Sequence, residues 1–298
     1  MPSRWAGKDR HCGNSLKGNN KYTLGGKGKT FNNGEKEDSI MKRVMYVLHS
    51  MLFIAAMAMT AIPLAAAAEK SAPGHEWSYE GEHGPTHWGD VKTDYAVCKT
   101  GKNQSPIDIT GAVKADLPPI QFAYKAAPLR IINNGHSIQV NYHEGSFIIV
   151  DGKQYQLVQF HFHHPSEEKI KGKSFDMVAH LVHKNAEGKL AVVAVLMQKG
   201  QANAVLKTLW EHLPKEEGKE EVAADVTINP SELLPAQRGY YTYTGSLTTP
   251  PCTEGVKWLV LKTPVEISDA QIDRFAQFYK HNARPVQPLD GRVVSESP

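Results

Sequence analysis

Five residues, Gln159-Phe-His-Phe-His163, constrain the fold of this 298-residue chain more than any other stretch. Polar and aromatic side chains alternate with a period of two. In a strand successive side chains point to opposite faces, so Gln159, His161 and His163 share one face while Phe160 and Phe162 occupy the other. The phenylalanines need a core, and the two imidazoles, two residues apart on the same face, can grip one ion. In Val178-Ala-His180-Leu-Val182, a further β-rich run, His180 shares a face with two valines. That is a poor place for a solvated histidine and a good one for a ligand on a neighbouring strand.

The rest of the chain after residue 68 reads in the same way. Residues 128–133 and 137–142 flank Asn134-Gly135, a dipeptide that tolerates positive φ and turns hairpins. Residues 146–150, 155–163, 176–183, 190–197 and 257–262 are further β-rich runs. Helical spacing is confined to residues 203–213, with Val205, Leu206, Leu209, Trp210 and Leu213 on one side, and to a segment after Ser268. There Ser268 and Gln271 form a capping-box pattern ahead of Ile272, Phe275 and Phe278. The expectation is an α+β, mainly β, single domain over residues 69–298, built on a large, largely antiparallel twisted sheet with a few short peripheral helices.

Charge separates this body from what precedes it. Residues 1–68 carry ten Lys or Arg against four Asp or Glu, whereas the remainder carries 24 against 27. The basic balance is therefore in the leader, and the body has no nucleic-acid footprint. Met41-Lys-Arg, an uncharged apolar run from Val44 to about Leu64 and small residues up to Ala68 describe a signal peptide over 41–68, cut after Ala68. The run exceeds the usual ~7 to 15 residues, so an uncleaved anchor is the alternative. Residues 1–40, rich in Gly, Asn and Lys, are expected to be an over-extended start or a disordered leader, and Cys12 goes with them. The expected location is periplasmic or secreted, with no stable membrane insertion after cleavage. In such an oxidising compartment the remaining Cys98 and Cys252 are expected to pair, two buried free thiols being the alternative.

Three imidazoles suit zinc with one position left for water, and they also suit copper, nickel or iron. The surrounding motifs narrow this. Gln159-Phe-His-Phe-His-His-Pro-Ser-Glu167, Ala179-His-Leu-Val-His183 and Ser246-Leu-Thr-Thr-Pro-Pro251 resemble, in this order, the alpha-class carbonic anhydrases of exported bacterial type. The resemblance continues through Trp77-Ser-Tyr79, His83-Gly-Pro-Thr-His-Trp88, Gln104-Ser-Pro-Ile-Asp-Ile109, Asn133-Asn-Gly-His136 and Arg284-Pro-Val-Gln-Pro288, over about residues 75–295.

What the resemblance implies is reversible hydration of carbon dioxide to bicarbonate and a proton, by attack of a zinc-bound hydroxide held on His161, His163 and His180. It implies a gatekeeper hydroxyl at Thr248 that passes its proton to Glu167, and a proton shuttle at His136. Tyr79 is placed with these catalytic residues. Val182, Val192, Leu247, Thr249, Val256 and Trp258 are implied as the substrate pocket. Gln159 is implied as the partner of the free nitrogen of His161, and a backbone carbonyl near Asn282 as that of His163. A bridge from Cys98 to Cys252 would tether the loop carrying Thr248, and homodimers occur in the family.

One position departs from the pattern. Many relatives have a glutamate where this chain has Val178, and valine cannot accept the proton of His180. The expectation from sequence is a His180 without a carboxylate partner at 178, served instead by a backbone carbonyl or water or left unserved, in an active enzyme whose metal is lost somewhat more readily. Two rival readings are weaker. His161-x-His163 followed by Glu167 imitates a cupin motif, but Tyr155 stands where that motif needs glycine. A non-catalytic binding module of the same fold would have lost the histidines that are present here.

Overall fold

The computed structural model describes residues 75–298. The leader over 1–40, the signal over 41–68 and Cys12 lie outside the described residues. Among those described, thirteen strands form one mixed sheet, and no helix is long and apolar enough to cross a membrane. Eight strands position the site: β1 Ala127–Asn133, β2 Ile138–Asn141, β3 Lys153–His163, β4 Met177–Lys184, β5 Leu190–Lys199, β6 Glu220–Ile228, β7 Tyr240–Ser246 and β8 Glu254–Leu261. Their order across the sheet is β6-β1-β2-β3-β4-β5-β8-β7.

All these neighbours are antiparallel except β5 and β8. That parallel pair lies near the centre because a long connection, including β6 and β7, separates the two strands in the chain. Parallel neighbours need such a crossover, whereas antiparallel ones can be joined by a hairpin. The Asn134-Gly135 hairpin between β1 and β2 forms as expected. Asn134 Oδ1 accepts the backbone N–H groups of His136 and Ser137 at 3.0 and 2.8 Å. Gly135 is needed there: its φ is +84°, and a Cβ would sit 2.1 Å from the His75 ring.

Alternation sorts the central strands into two cores. Phe160, Phe162, Ala179, Leu181, Val193 and Val195 face a large apolar cluster on one side of the sheet. Val178, Val192, Ala194, Leu196, Trp258 and Val260 face a second cluster on the other. The two expected helices, α1 Ala204–Glu211 and α2 Asp269–Ala276, cover the phenylalanine side. Asn203 caps α1 by accepting from Val205 and Leu206 N–H, and the Ser268/Gln271 capping box closes the start of α2. Trp210 of α1 meets Phe162 edge-on at 5.3 Å and donates its indole N–H to the Gln271 carbonyl at 2.9 Å.

Strands β6 and β7 are not among the expected runs. β6 is an edge strand in which Val222, Ala224, Val226 and Ile228 recur at a period of two, with its pairing to β1 interrupted between Ala223 and Thr227. β7, Tyr-Tyr-Thr-Tyr-Thr-Gly-Ser, is rich in β-formers and was legible.

His183 is locked within the phenylalanine side. Its Nδ1 lies 3.3 Å from the Ala191 carbonyl and its Nε2 2.9 Å from the Tyr124 hydroxyl. A neutral ring satisfies both, donating to the first and accepting from the second. Burial pushes the imidazole down to about 3 from an ordinary 6.5. Between these values the unfolded chain binds more protons than the native one, so this residue's contribution to stability is complete above about pH 6.5 and is lost as pH falls toward 3. Urea unfolding at pH 7 and pH 5 is expected to show a pH-dependent loss of stability about 2 kcal/mol larger in the parent than in His183→Gln. Equal pH sensitivity of the two proteins rules this out.

Candidate metal centre

In the antiparallel pair β3/β4, His161 lies directly opposite His180, and His163 opposite Val178. The pleat sends all three histidines to the valine side of the sheet. Their ring centroids are 4.7 to 5.5 Å apart, and one nitrogen from each lies within 4.8 Å of the others. Each ring's remaining nitrogen is engaged outward. His161 Nδ1 is 2.9 Å from Gln159 Oε1, and His163 Nδ1 donates to the Asn282 carbonyl at 2.7 Å. His180 Nε2 is 2.9 Å from Glu168 Oε1.

Gln159 and the Asn282 carbonyl lie against the rings they were expected to serve, and His180 has a partner that the sequence reading did not supply. Its partner is present, and it comes from the loop after β3 instead of from position 178. Val178 is free to pack in the apolar cluster.

The inward nitrogens fit a metal ion. His163 Nε2 is buried with no hydrogen-bond partner, an arrangement that costs about 1–3 kcal/mol unless something binds it. Burial, with His180 adding repulsion, lowers His161 to about 3, and the same causes put His163 well below 6.5. Both rings thus offer neutral lone pairs. His180 is also buried, but the charge and hydrogen bond of Glu168, followed by the charge of Glu167, raise it.

Glu167 lies under this group, 3.5 Å from His163 Nδ1 and 3.8 Å from His180 Nδ1. Burial is the main cause that pushes its carboxyl up to about 7, with Glu168 adding to it and His180 opposing. Its Oε1 accepts the Arg284 N–H at 2.8 Å. The Thr248 hydroxyl favours the charged carboxylate, although Oε2 has no partner of full hydrogen-bond geometry. Val192, Val256 and Trp258 form the adjacent apolar wall, with Val182 and Leu247 packed on it, and Trp258 meets His180 edge-on at 4.9 Å. Thr249 stands in the following turn, its carbonyl accepting the Cys252 N–H at 2.9 Å.

His136 stacks on Trp77, centroids 3.6 Å apart, with His75 edge-on at 4.7 Å. Burial, then His75, lowers it to about 4. Tyr79 packs edge-on against Trp77 and Trp88, and burial holds its hydroxyl protonated.

Two residues given no role from sequence are central. Glu168 is one; its signal was a second carboxylate directly after Glu167 in an otherwise matched motif. Arg284 is the other. Its buried guanidinium donates to Gln104 Oε1 and the carbonyls of Ser105 and Cys98, at 2.7 to 2.9 Å. It therefore joins the Glu167 carboxylate to the segment bearing Cys98. Cys98 and Cys252 form a disulfide, and with Trp77, Trp88 and Tyr95 they make a third small core under the Thr248 turn.

A large mixed sheet presenting three converging imidazoles and a carboxylate–hydroxyl pair to an apolar wall has the layout of a metal-assisted hydration or hydrolysis site. The model of the eukaryotic-type carbonic anhydrases matches residues 83–298. A carbonic anhydrase of Pectobacterium carotovorum is 45% identical over 220 residues, covering 73% of this chain and 89% of the relative. One from Neisseria gonorrhoeae is 46% identical over 244 residues, covering 80% and 96%. The solved alpha-carbonic anhydrase of Thermovibrio ammonificans superposes with a TM-score of 0.71 at 45% identity, covering 74% of this chain and 98% of that one. The chain belongs to the alpha carbonic anhydrase family and is an enzyme of carbon dioxide hydration.

The disulfide closes a loop with a sequence separation of 154, for which the chain-entropy model sets an upper bound of about 5 kcal/mol. Reduction, or the pair Cys98→Ala/Cys252→Ala, is expected to lower the melting temperature and the hydration rate together, because the bridge holds the Thr248 turn. Calorimetry and stopped-flow assays before and after reduction check this; unchanged values count against it.

Proposed function

We propose that the chain catalyses zinc-dependent, reversible hydration of carbon dioxide, with zinc held by His161, His163 and His180. The observation that carries this reading is the convergence of three nitrogens within 4.8 Å, while the opposite ring nitrogens are held by Gln159, Asn282 and Glu168. Bound there, zinc would act as a Lewis acid that lets water ionise near pH 7, as in carbonic anhydrases generally.

The protein's own groups do the rest. Thr248 donates its hydroxyl proton toward Glu167, which leaves its oxygen to accept from the attacking water and so orients that water's lone pair. The wall of Val182, Val192, Leu247, Val256 and Trp258 holds apolar carbon dioxide and excludes competing water, and Thr249 flanks it. Tyr79 keeps its proton and can only donate or relay through its hydroxyl. His136 carries the released proton to solvent. Stacked on Trp77 it is a weak base, so uptake near neutrality requires the ring to leave that stack and its burial. The disulfide supports export to an oxidising compartment, periplasmic or extracellular, after removal of the segment ending at Ala68.

Metal analysis is expected to find one zinc per chain, with carbon dioxide hydration lost on chelation and restored by zinc. One zinc without hydration overturns the catalytic assignment. Thr248→Ala is expected to lower kcat/KM by about 100-fold without loss of metal. His136→Ala is expected to lower turnover in dilute buffer and to regain it with added imidazole; an unchanged rate removes the shuttle assignment.

A further inference from the structure

Glu168 is a fully buried carboxylate that, among the described residues, has no lysine or arginine as a partner. Among these residues its one ion-pair contact is with His180, Nε2 to Oε1 at 2.9 Å, and its second oxygen has no hydrogen-bond partner. Glu167 precedes it, and the buried Tyr243 phenol feels its charge. Taking a carboxylate out of water costs several kcal/mol even after relaxation, and one neutral N–H contact does not offset that. The arrangement becomes favourable when the imidazole carries positive character, as it does with a cation on its other nitrogen. The loop is also built to hold the carboxylate. The Ser166 hydroxyl donates to the Glu168 carbonyl at 2.8 Å and accepts the Phe175 N–H at 2.9 Å, while Ser166 N–H donates to the Phe175 carbonyl at 3.0 Å.

We infer that Glu168 is the positioning residue for the metal ligand His180. It replaces from the loop after β3 the carboxylate that position 178 of β4 would otherwise supply. The inference rests on the proposed three-histidine metal site and assigns to this chain a different residue for holding the third ligand. The geometry accounts for two observations at once. Val178 can be apolar because His180 is already served, and Glu168 can be buried because it serves His180. The carboxylate fixes the ring so that Nε2 carries the proton and Nδ1 faces the other ligands, and it makes that nitrogen a stronger donor to the ion.

The test uses the zinc-loaded protein and reads metal release to an excess of chelator, followed by a colorimetric zinc indicator. Glu168→Gln keeps the shape and removes the charge, and it is expected to release zinc about 10 to 100 times faster than the parent. Glu168→Gln/Val178→Glu, which returns a carboxylate to the ring from the strand, is expected to recover slow release. Parental release from a folded Glu168→Gln, or no recovery in the double variant, overturns the inference. Should the single variant not fold, nitrogen-resolved NMR of the parent decides: a protected ring proton on His180 Nε2 supports the assignment, and one on Nδ1 overturns it. If the parent binds no zinc, the metal site falls and this inference with it. If the parent binds zinc while Glu168→Gln is unaffected, only the inference falls.

Discussion

The pairing of His161 with His180 across β3 and β4 is the contact on which the site depends. Strand side chains alternate, so a slip of one residue between these strands would turn His180 into the phenylalanine core and bring Ala179 or Leu181 to the site. The register is held from both sides of the sheet. Phe160, Phe162, Ala179 and Leu181 are fully buried in one core, and Val178 is buried in the other. Exposing any one of the large apolar side chains costs about 1.5–3 kcal/mol, so misregistration is penalised many times over before any metal is bound. The ligand geometry is thus a consequence of core packing.

Convergence alone would leave three imidazoles free to rotate. Each is fixed by an acceptor from a different part of the chain: Gln159 on the same strand, the Asn282 carbonyl from the C-terminal segment, and Glu168 from the loop after β3. Asn282 itself is fully engaged. Its amide donates to the carbonyls of His136 and Phe162, and its Oδ1 accepts the His164 N–H. Arg284, two residues later, extends the same framework to Glu167, Gln104 and the Cys98 segment. The C-terminal segment therefore closes the floor of the site, and damage far from the histidines in sequence should loosen it.

The adjacent glutamates show how environment separates two like groups. Both are buried, yet Glu167 accepts the Arg284 N–H and meets Thr248, whereas the Glu168 carboxylate bonds the His180 imidazole. The first carboxylate thus meets a hydroxyl and a backbone N–H, and the second meets a histidine ring. His136 shows the opposite tuning, with its basicity suppressed while it lies on Trp77. In each case burial sets the cost of charge, and the neighbouring dipole or ion decides which charge is kept.

Much of this was legible in the chain itself. Period-two alternation from Gln159 to His163 determines which residues face the site and which the core, and Asn134-Gly135 determines the hairpin that carries His136. The spacing at Ser268 and Gln271 marks the start of α2. Such features are local, because side-chain direction and turn geometry follow from a few consecutive dihedrals. Strand β6 carries an apolar residue at every second position from Val222 to Ile228, a rhythm weakened by the alanines at 223 and 224, and so was legible in part. The partner of His180 was illegible. Read along β4, Val178 leaves that ring unserved, and only the folded loop returns Glu168 to within 2.9 Å of it. The lowered basicity of His136, the junction made by Arg284 and the parallel placement of β8 beside β5 were likewise decided by tertiary structure. They depend on which distant segments exclude water together, and no local pattern encodes that.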